Sequence, residues 1–191
     1  SIRNVVFLGH GGSGKTTLAE AISYSTGVIT RMGRVQDGNT ISDYDKEEIK
    51  RKFSINASVI PVEWNGLKIN ILDAPGYFDF VGQMVDAMSV ADAAVIVVNG
   101  KAGIEVGTIK AWEICERRQI PRIFFITNMD DPNAKYMEIV EQLKERFGKK
   151  VAPFHLPIIE DGKLTGYVNV VKMGGRKFTD DLGSYTERDI P

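Results

Sequence analysis

Residues 9–16 read Gly-His-Gly-Gly-Ser-Gly-Lys-Thr, and their flanks fix the local fold. On one side, Val5-Val6-Phe7-Leu8 is a short apolar run that reads as a buried strand. On the other, Leu18-Ala19-Glu20-Ala21-Ile22 reads as a helix. A strand, a glycine-rich turn matching G-x-x-x-x-G-K-[ST] and a helix, in that order, form a phosphate-cradling loop. The glycines let the backbone curl until several N–H groups face one anion. The N-terminus of the following helix adds its partial positive charge. A chance match is expected in under about 1% of chains of this length at average residue frequencies. The candidate phosphate-binding residues are His10, Gly11, Gly12, Ser13, Gly14, Lys15, Thr16 and Thr17. Lys15 is placed to reach the β- and γ-phosphates, and the Thr16 hydroxyl to bind Mg²⁺.

The rest of the chain alternates short apolar runs with helical stretches, the pattern of an α/β domain with a mostly parallel sheet. Strands are predicted at 57–64, 67–72, 93–98 and 122–127, and helices at 105–118 and 134–147. Asn65-Gly66 joins the first two of those strands as a hairpin, so one pair is antiparallel. Pro61 places 57–64 at the sheet edge. Residues 31–54 form a long polar loop, a length usually reserved for function or disorder. Its mixed charge run, 46–52, reads as a solvated face. In the 134–147 helix, Met137, Val140, Leu143 and Phe147 recur at helical spacing as a core stripe, and Gly148 ends it. Beyond Gly148, a hairpin over 154–159 and 164–171 turns at Glu160-Asp161-Gly162, and the 174–191 tail shows no periodicity.

A net charge of −1 gives no global basic field, which argues against DNA as a partner. The longest apolar run, residues 93–98, is too short to span a bilayer, so no membrane partner is expected. The single cysteine, Cys115, forms no internal disulfide, and no signal peptide opens the chain. Together these predict a reducing, cytoplasmic setting.

Two further motifs narrow the chemistry. Asp73-Ala74-Pro75-Gly76 lies at the carboxyl end of the 67–72 strand, where open α/β sheets place ligands. Asp73 can hold Mg²⁺ through a water, and Gly76 can offer its N–H to a γ-phosphate. A plain strand-ending turn has the same residue types, but its position two elements after a phosphate loop favours the functional reading. Thr127-Asn128-Met129-Asp130 ends the 122–127 strand. A carboxylate at Asp130 accepts from the guanine N1–H and N2 amine and rejects adenine, which leaves it unpaired. Thr127 and Asn128 stand where Asn and Lys are usual for guanine readers.

With three motifs in order, the chain resembles the G domain of elongation factor G and its relatives among translational GTPases. Gly9-His10, the run Asp73 to Gly82, Ile123-Phe124-Phe125, and Asn133-Ala134 after Asp130 all resemble that family. Leu156-Pro157-Ile158 resembles the entry to the family's inserted subdomain. The resemblance implies a P-loop GTPase fold with one antiparallel edge hairpin and the start of a small β-rich insert. It divides the chain into a GTP-binding domain over 1–150, incomplete at its C-terminal end, and the beginning of an inserted subdomain over 151–191. It implies GTP/GDP and Mg²⁺ as ligands, GTP hydrolysis as the reaction, and the ribosome as the partner of the full-length protein, the fragment itself being monomeric.

The resemblance also assigns roles. Lys15, Gly76 and Tyr77 are the candidate catalytic residues. Thr16, Ser54 and Asp73 are the candidate metal ligands, with Ser54 where the family carries Thr. Thr127, Asn128 and Asp130 are the candidate base-contacting residues. Tyr77 stands where the family places the His that positions the attacking water, and Gly12 where it tends to carry Asp. A phenol cannot supply imidazole charge, so the intrinsic rate is expected to be slow. An alternative of another class follows: a nucleotide-gated ribosome-binding module with weak or no hydrolysis. A small-molecule kinase leaves Asp130 unexplained.

Overall fold

The computed structural model describes residues 1–76, 81–180 and 183–191. These form two compact units, Ser1–Asn99 with Glu105–Thr127, and Gly100–Ile104 with Asn128–Pro191.

In the first unit, β1 (Ile2–Gly9), β2 (Ser58–Trp64), β3 (Leu67–Asp73), β4 (Ala93–Asn99) and β5 (Arg122–Thr127) build one sheet in the order β2-β3-β1-β4-β5. β1 runs parallel to β3 and β4, and β4 parallel to β5, while β2 is antiparallel to β3. The expected α/β fold with one antiparallel edge hairpin is what forms. Asn65 and Gly66 both have positive φ, 47° and 75°, as a two-residue hairpin requires. β2 is the edge strand, so Pro61 removes no donor from a central ladder.

Side chains alternate across β1. Phe7 joins Ile60, Val62, Ile71 and Ala19 in one cluster, with Leu18 and Ile22 of α1 (Lys15–Ser25) packed against it. Val6 and Leu8 point the other way and are equally buried. A strand buried on both faces reads as a continuous apolar run, as this one does. α3 (Val81–Ser89) and α4 (Val106–Arg118) both touch β1.

The 31–57 segment is more structured than a polar loop. A 3₁₀ turn (Val35–Asp37) precedes α2 (Lys46–Arg51). Asp45 caps α2 by accepting from Glu47 N at 2.7 Å, and Glu48 reaches back to accept from Asp45 N at 3.1 Å. The 46–52 run is therefore not simply a solvated face. Glu48 is buried, and its other oxygen accepts from Ile55 N and Asn56 N, both at 2.9 Å.

The second unit carries α5 (Tyr136–Phe147) and an antiparallel sheet of β6 (His155–Glu160), β7 (Lys163–Asn169), β8 (Gly174–Phe178) and β9 (Tyr185–Arg188), in that order. The expected α5 stripe is shifted. Ile139, Val140 and Leu143 are buried, whereas Met137 is 57% exposed. Gly148 does cap the helix, with φ 97° and its N–H on Lys144 O at 2.9 Å. The unpatterned tail forms β8 and β9. These strands are joined by side chains that hydropathy does not register. Arg176 lies against the rings of Tyr167 and Tyr185, and Arg188 donates to Glu160 at 2.8 Å. Among the described residues, no helix is long and apolar enough to cross a membrane.

Candidate functional site: a phosphate loop beside a buried hydroxyl–carboxylate cluster

The loop joining β1 to α1 is built as the sequence predicts. Gly14, with φ 94°, is the N-cap of α1, and the helix begins at Lys15. The first amides of α1, including those of Thr16 and Thr17, have no acceptor within the helix. Thr17 itself is exposed, as is Gly12. Ser13 N bonds back to His10 O at 3.2 Å, and Ser13 Oγ is buried without a hydrogen-bond partner among the described residues.

Lys15 is 6% exposed, and its Nζ donates to His10 O at 2.9 Å and to Gly9 O at 3.3 Å. Burial lowers its pKa to about 8, against the upward pull of Asp73 and Glu105. Gly76 comes close to the same ammonium. A Cβ at residue 76 would fall under 3.0 Å from Lys15 Nζ, Gly11 N and the His10 carbonyl carbon, so only glycine fits. Gly11, Lys15 and Gly76 thus converge on one spot. Tyr77, the other candidate catalytic residue, lies outside the described residues.

The three candidate metal ligands also meet. Thr16 Oγ1 donates to Asp73 Oδ2 at 2.7 Å and lies 3.1 Å from Ser54 Oγ. Ser54 Oγ donates in turn to Asp43 Oδ1 at 2.7 Å. The sequence does not single out Asp43. Its one signal is an acidic residue in a long polar loop, and it is buried here. Burial raises the Asp43 pKa, and the Ser54 hydrogen bond opposes that shift. Asp73, 1% exposed, is pushed up to about 6 by burial, offset by the Thr16 hydrogen bond and by Lys15, with a weaker downward pull from nearby Ser42. Neither Asp73 Oδ1 nor Ser42 Oγ, both buried, makes a hydrogen bond of good geometry among the described residues. Two hydroxyls and two carboxylates, one with an orphaned oxygen, are the hard oxygen donors that Mg²⁺ takes. The residues present fit that ion.

The remaining expected contacts divide. Thr127 Oγ1 donates to Ser13 O at 2.7 Å and lies 3.3 Å from Val98 O, so it ties β5 to the phosphate loop. His10 braces the loop from the other side. Its Nδ1 accepts from Gly107 N at 3.3 Å, and its Nε2 lies 3.5 Å from Glu105 Oε1. Glu105, the N-cap of α4, is another residue that no sequence motif marks. Asn128 and Asp130 belong to the second unit. Asn128 has φ 55° and its carbonyl accepts from Asp131 N at 3.2 Å, and both Asn128 and Asp130 are exposed.

Comparison with known proteins agrees with this geometry. Residues 1–182 match the family described as the elongation factor Tu GTP binding domain. An elongation factor G-like protein of Mycobacterium tuberculosis is 38% identical over 156 residues, which is 82% of this chain and 22% of that protein. Elongation factor G 1 of Syntrophomonas wolfei is 32% identical over all 191 residues, 28% of its own length. A mitochondrial ribosome-releasing factor 2 of Culex quinquefasciatus is 33% identical over 171 residues, 90% of this chain and 23% of that one. The chain therefore spans about a quarter of the length of the curated relatives it matches. A crystal structure of a Thermus thermophilus protein superposes with a TM-score of 0.94 at 38% identity, covering 100% of this chain and 28% of that one. The glycine-rich loop between β1 and α1, the aspartate at the end of β3 and the match across residues 1–182 lead to one conclusion: the chain belongs to the elongation factor Tu GTP-binding domain family, as a GTP-binding domain of the elongation factor G-like kind.

Proposed function

We propose that this chain binds GTP with Mg²⁺ and hydrolyses it to GDP and phosphate, as the G domain of an elongation factor G-like protein acting on the ribosome. The observation that carries the reading is the convergence of Lys15, Gly11 and Gly76 beside the Thr16–Asp73–Ser54–Asp43 cluster. Phosphoryl transfer asks a protein mostly for positioning and charge stabilisation.

Each residue has a share in this. The amides of residues 11–17 cradle the β-phosphate. Lys15 neutralises charge on the β- and γ-phosphates, and at neutral pH it is protonated because its lowered pKa is still about 8. Gly76 N–H faces the γ-phosphate, and the absence of a side chain lets it approach. Thr16 and Ser54 would hold Mg²⁺ directly, with Asp73 and Asp43 behind them. A metal bound there neutralises charge developing on the phosphate oxygens. Asp130 selects guanine, with Asn128 beside it. Thr127 acts on the nucleotide indirectly, by fixing the Ser13 carbonyl. Residues 1–150 serve as the GTP-binding domain and 151–191 as part of an inserted β-rich subdomain, with residues 128–150 packed in the same compact unit as its sheet.

Phosphate release measured on the intact protein, with and without ribosomes, tests the proposal. Hydrolysis that ribosomes stimulate supports it. GTP binding without hydrolysis in either condition overturns the enzymatic part.

A further inference from the structure

One buried acid lies outside the machinery described so far. Glu20 is 2% exposed and sits on α1, one turn beyond Thr16. Both of its oxygens are used, and both point at the 31–57 segment. Oε1 accepts from Gly33 N at 2.7 Å, and Oε2 accepts from Ile41 N at 2.9 Å. A single carboxylate therefore closes the excursion from Gly33 to Ile41, holding its two ends on one side chain.

We propose that Glu20 is a positioning residue, a latch that fastens the 31–57 segment onto α1 and so delivers Asp43 and Ser54 to the metal site. The inference rests on the functional reading above and names the device that controls it. Residues i and i+4 of a helix share a face, so Thr16 and Glu20 stack along α1. Thr16 receives Ser54 from the far end of the segment, and Glu20 receives Gly33 and Ile41 from its near end. Ile41 lies two residues before Asp43, so fixing the Ile41 amide sets where Asp43 begins. Ser42 between them is pinned independently, its carbonyl accepting from Ser58 Oγ at 2.6 Å.

The fit at Gly33 is close. A Cβ there would lie under 3.0 Å from Asn39 O and Glu20 Oε1. A charged carboxylate is retained out of water only where donors satisfy it. These two amides do so, and they are available only while the segment is docked. Docking by Glu20 and docking by the metal ligands therefore reinforce one another. The latch favours the triphosphate state, which uses Ser54, and leaves the diphosphate contacts of the phosphate loop untouched.

The test compares wild type with Glu20→Gln and, from the loop side, Gly33→Ala. The second variant leaves α1 intact should the first fail to fold. Affinities for a non-hydrolysable GTP analogue and for GDP are measured in saturating Mg²⁺ on the intact protein. Trypsin cleavage between Arg31 and Lys52 is timed in the triphosphate state. The expected result is a roughly 5- to 30-fold loss of analogue affinity, a GDP affinity within about twofold of wild type, and cleavage about tenfold faster or more. An unchanged analogue-to-GDP ratio with unchanged cleavage overturns the latch. Equal losses for both nucleotides also overturn it, and make Glu20 a general support of α1. Wild type that binds neither nucleotide overturns the functional reading itself and the latch with it.

Discussion

Lys15 and Asp73 hold opposite charges out of water at one place, and each is displaced from its ordinary titration by burial. Asp73 is raised to about 6, so its folded pKa exceeds the unfolded one. Its contribution favours the fold below the unfolded value and is lost as pH rises through about 6. Lys15 is lowered to about 8, so its contribution is present above the unfolded value and is lost as pH falls through about 8. Between about pH 6 and 8 both groups are charged, and burial of both charges works against the nucleotide-free fold. Asp73→Asn should stabilise the nucleotide-free protein by about 1–2 kcal/mol near neutral pH. The raised Asp73 pKa, which already includes the pull of Lys15, implies somewhat more, but the buried Asn amide carries a desolvation cost of its own. The gain should shrink as pH falls below about 6 and vanish below about pH 4, where wild-type Asp73 is protonated in the folded and unfolded states alike, while Mg²⁺-dependent GTP binding is abolished. Urea unfolding across pH checks the first effect and a nucleotide titration the second. Thr127→Val removes the hydroxyl that holds the Ser13 carbonyl. It should cost about 1 kcal/mol of stability and weaken GTP and GDP binding alike, read by thermal denaturation and fluorescent-nucleotide binding.

At the scale of elements, the sequence is most legible where one signal dominates. The phosphate loop, the Asn-Gly hairpin and the buried strands follow from glycine spacing and apolar runs alone. Thr16, Ser54 and Asp73 come together in space, as the roles that the resemblance assigns them require. Other features leave weaker marks. β8 and β9 are held by arginine–tyrosine and arginine–glutamate pairs, which leave no apolar alternation. α2 depends on a capping box inside a charge run that looks solvated. α3 is marked by Val81, Met84, Val85 and Met88 at helical spacing, although no helix is expected there above. Asp43, Glu20 and Glu48 are acids whose burial depends on contacts made by distant backbone. Of these, Glu20 is marked as an acid on the buried side of α1 and Glu48 by its capping-box spacing from Asp45, whereas Asp43 is marked only as an acid in a long polar loop. The central cluster beneath α1 is conventional hydrophobic packing. Ile71→Ala at its centre should cost roughly 2–5 kcal/mol, the penalty of a large core truncation, measured as a lowered urea midpoint with nucleotide absent.

Over the whole molecule, site and fold are linked by mass action. Anything that binds only the folded state stabilises it, by about 2.7 kcal/mol at a hundredfold excess over its dissociation constant. GTP with Mg²⁺ should therefore raise the melting temperature by several degrees, and removing Mg²⁺ with a chelator should reverse most of that gain. GDP should depend less on the metal if Ser54 and Gly76 act on the triphosphate state, as proposed above. Differential scanning fluorimetry with each nucleotide, with and without chelator, reads these differences directly. In the reading proposed above, the loop around Lys15 holds a guanine nucleotide by its phosphates. Calorimetric titration of GTP and ATP in Mg²⁺, on wild type and on Lys15→Ala, tests it most directly. Wild type should bind GTP about a hundredfold tighter than ATP or more, and Lys15→Ala should lose GTP binding. Equal affinity for ATP, or undiminished GTP binding by Lys15→Ala, would contradict that reading.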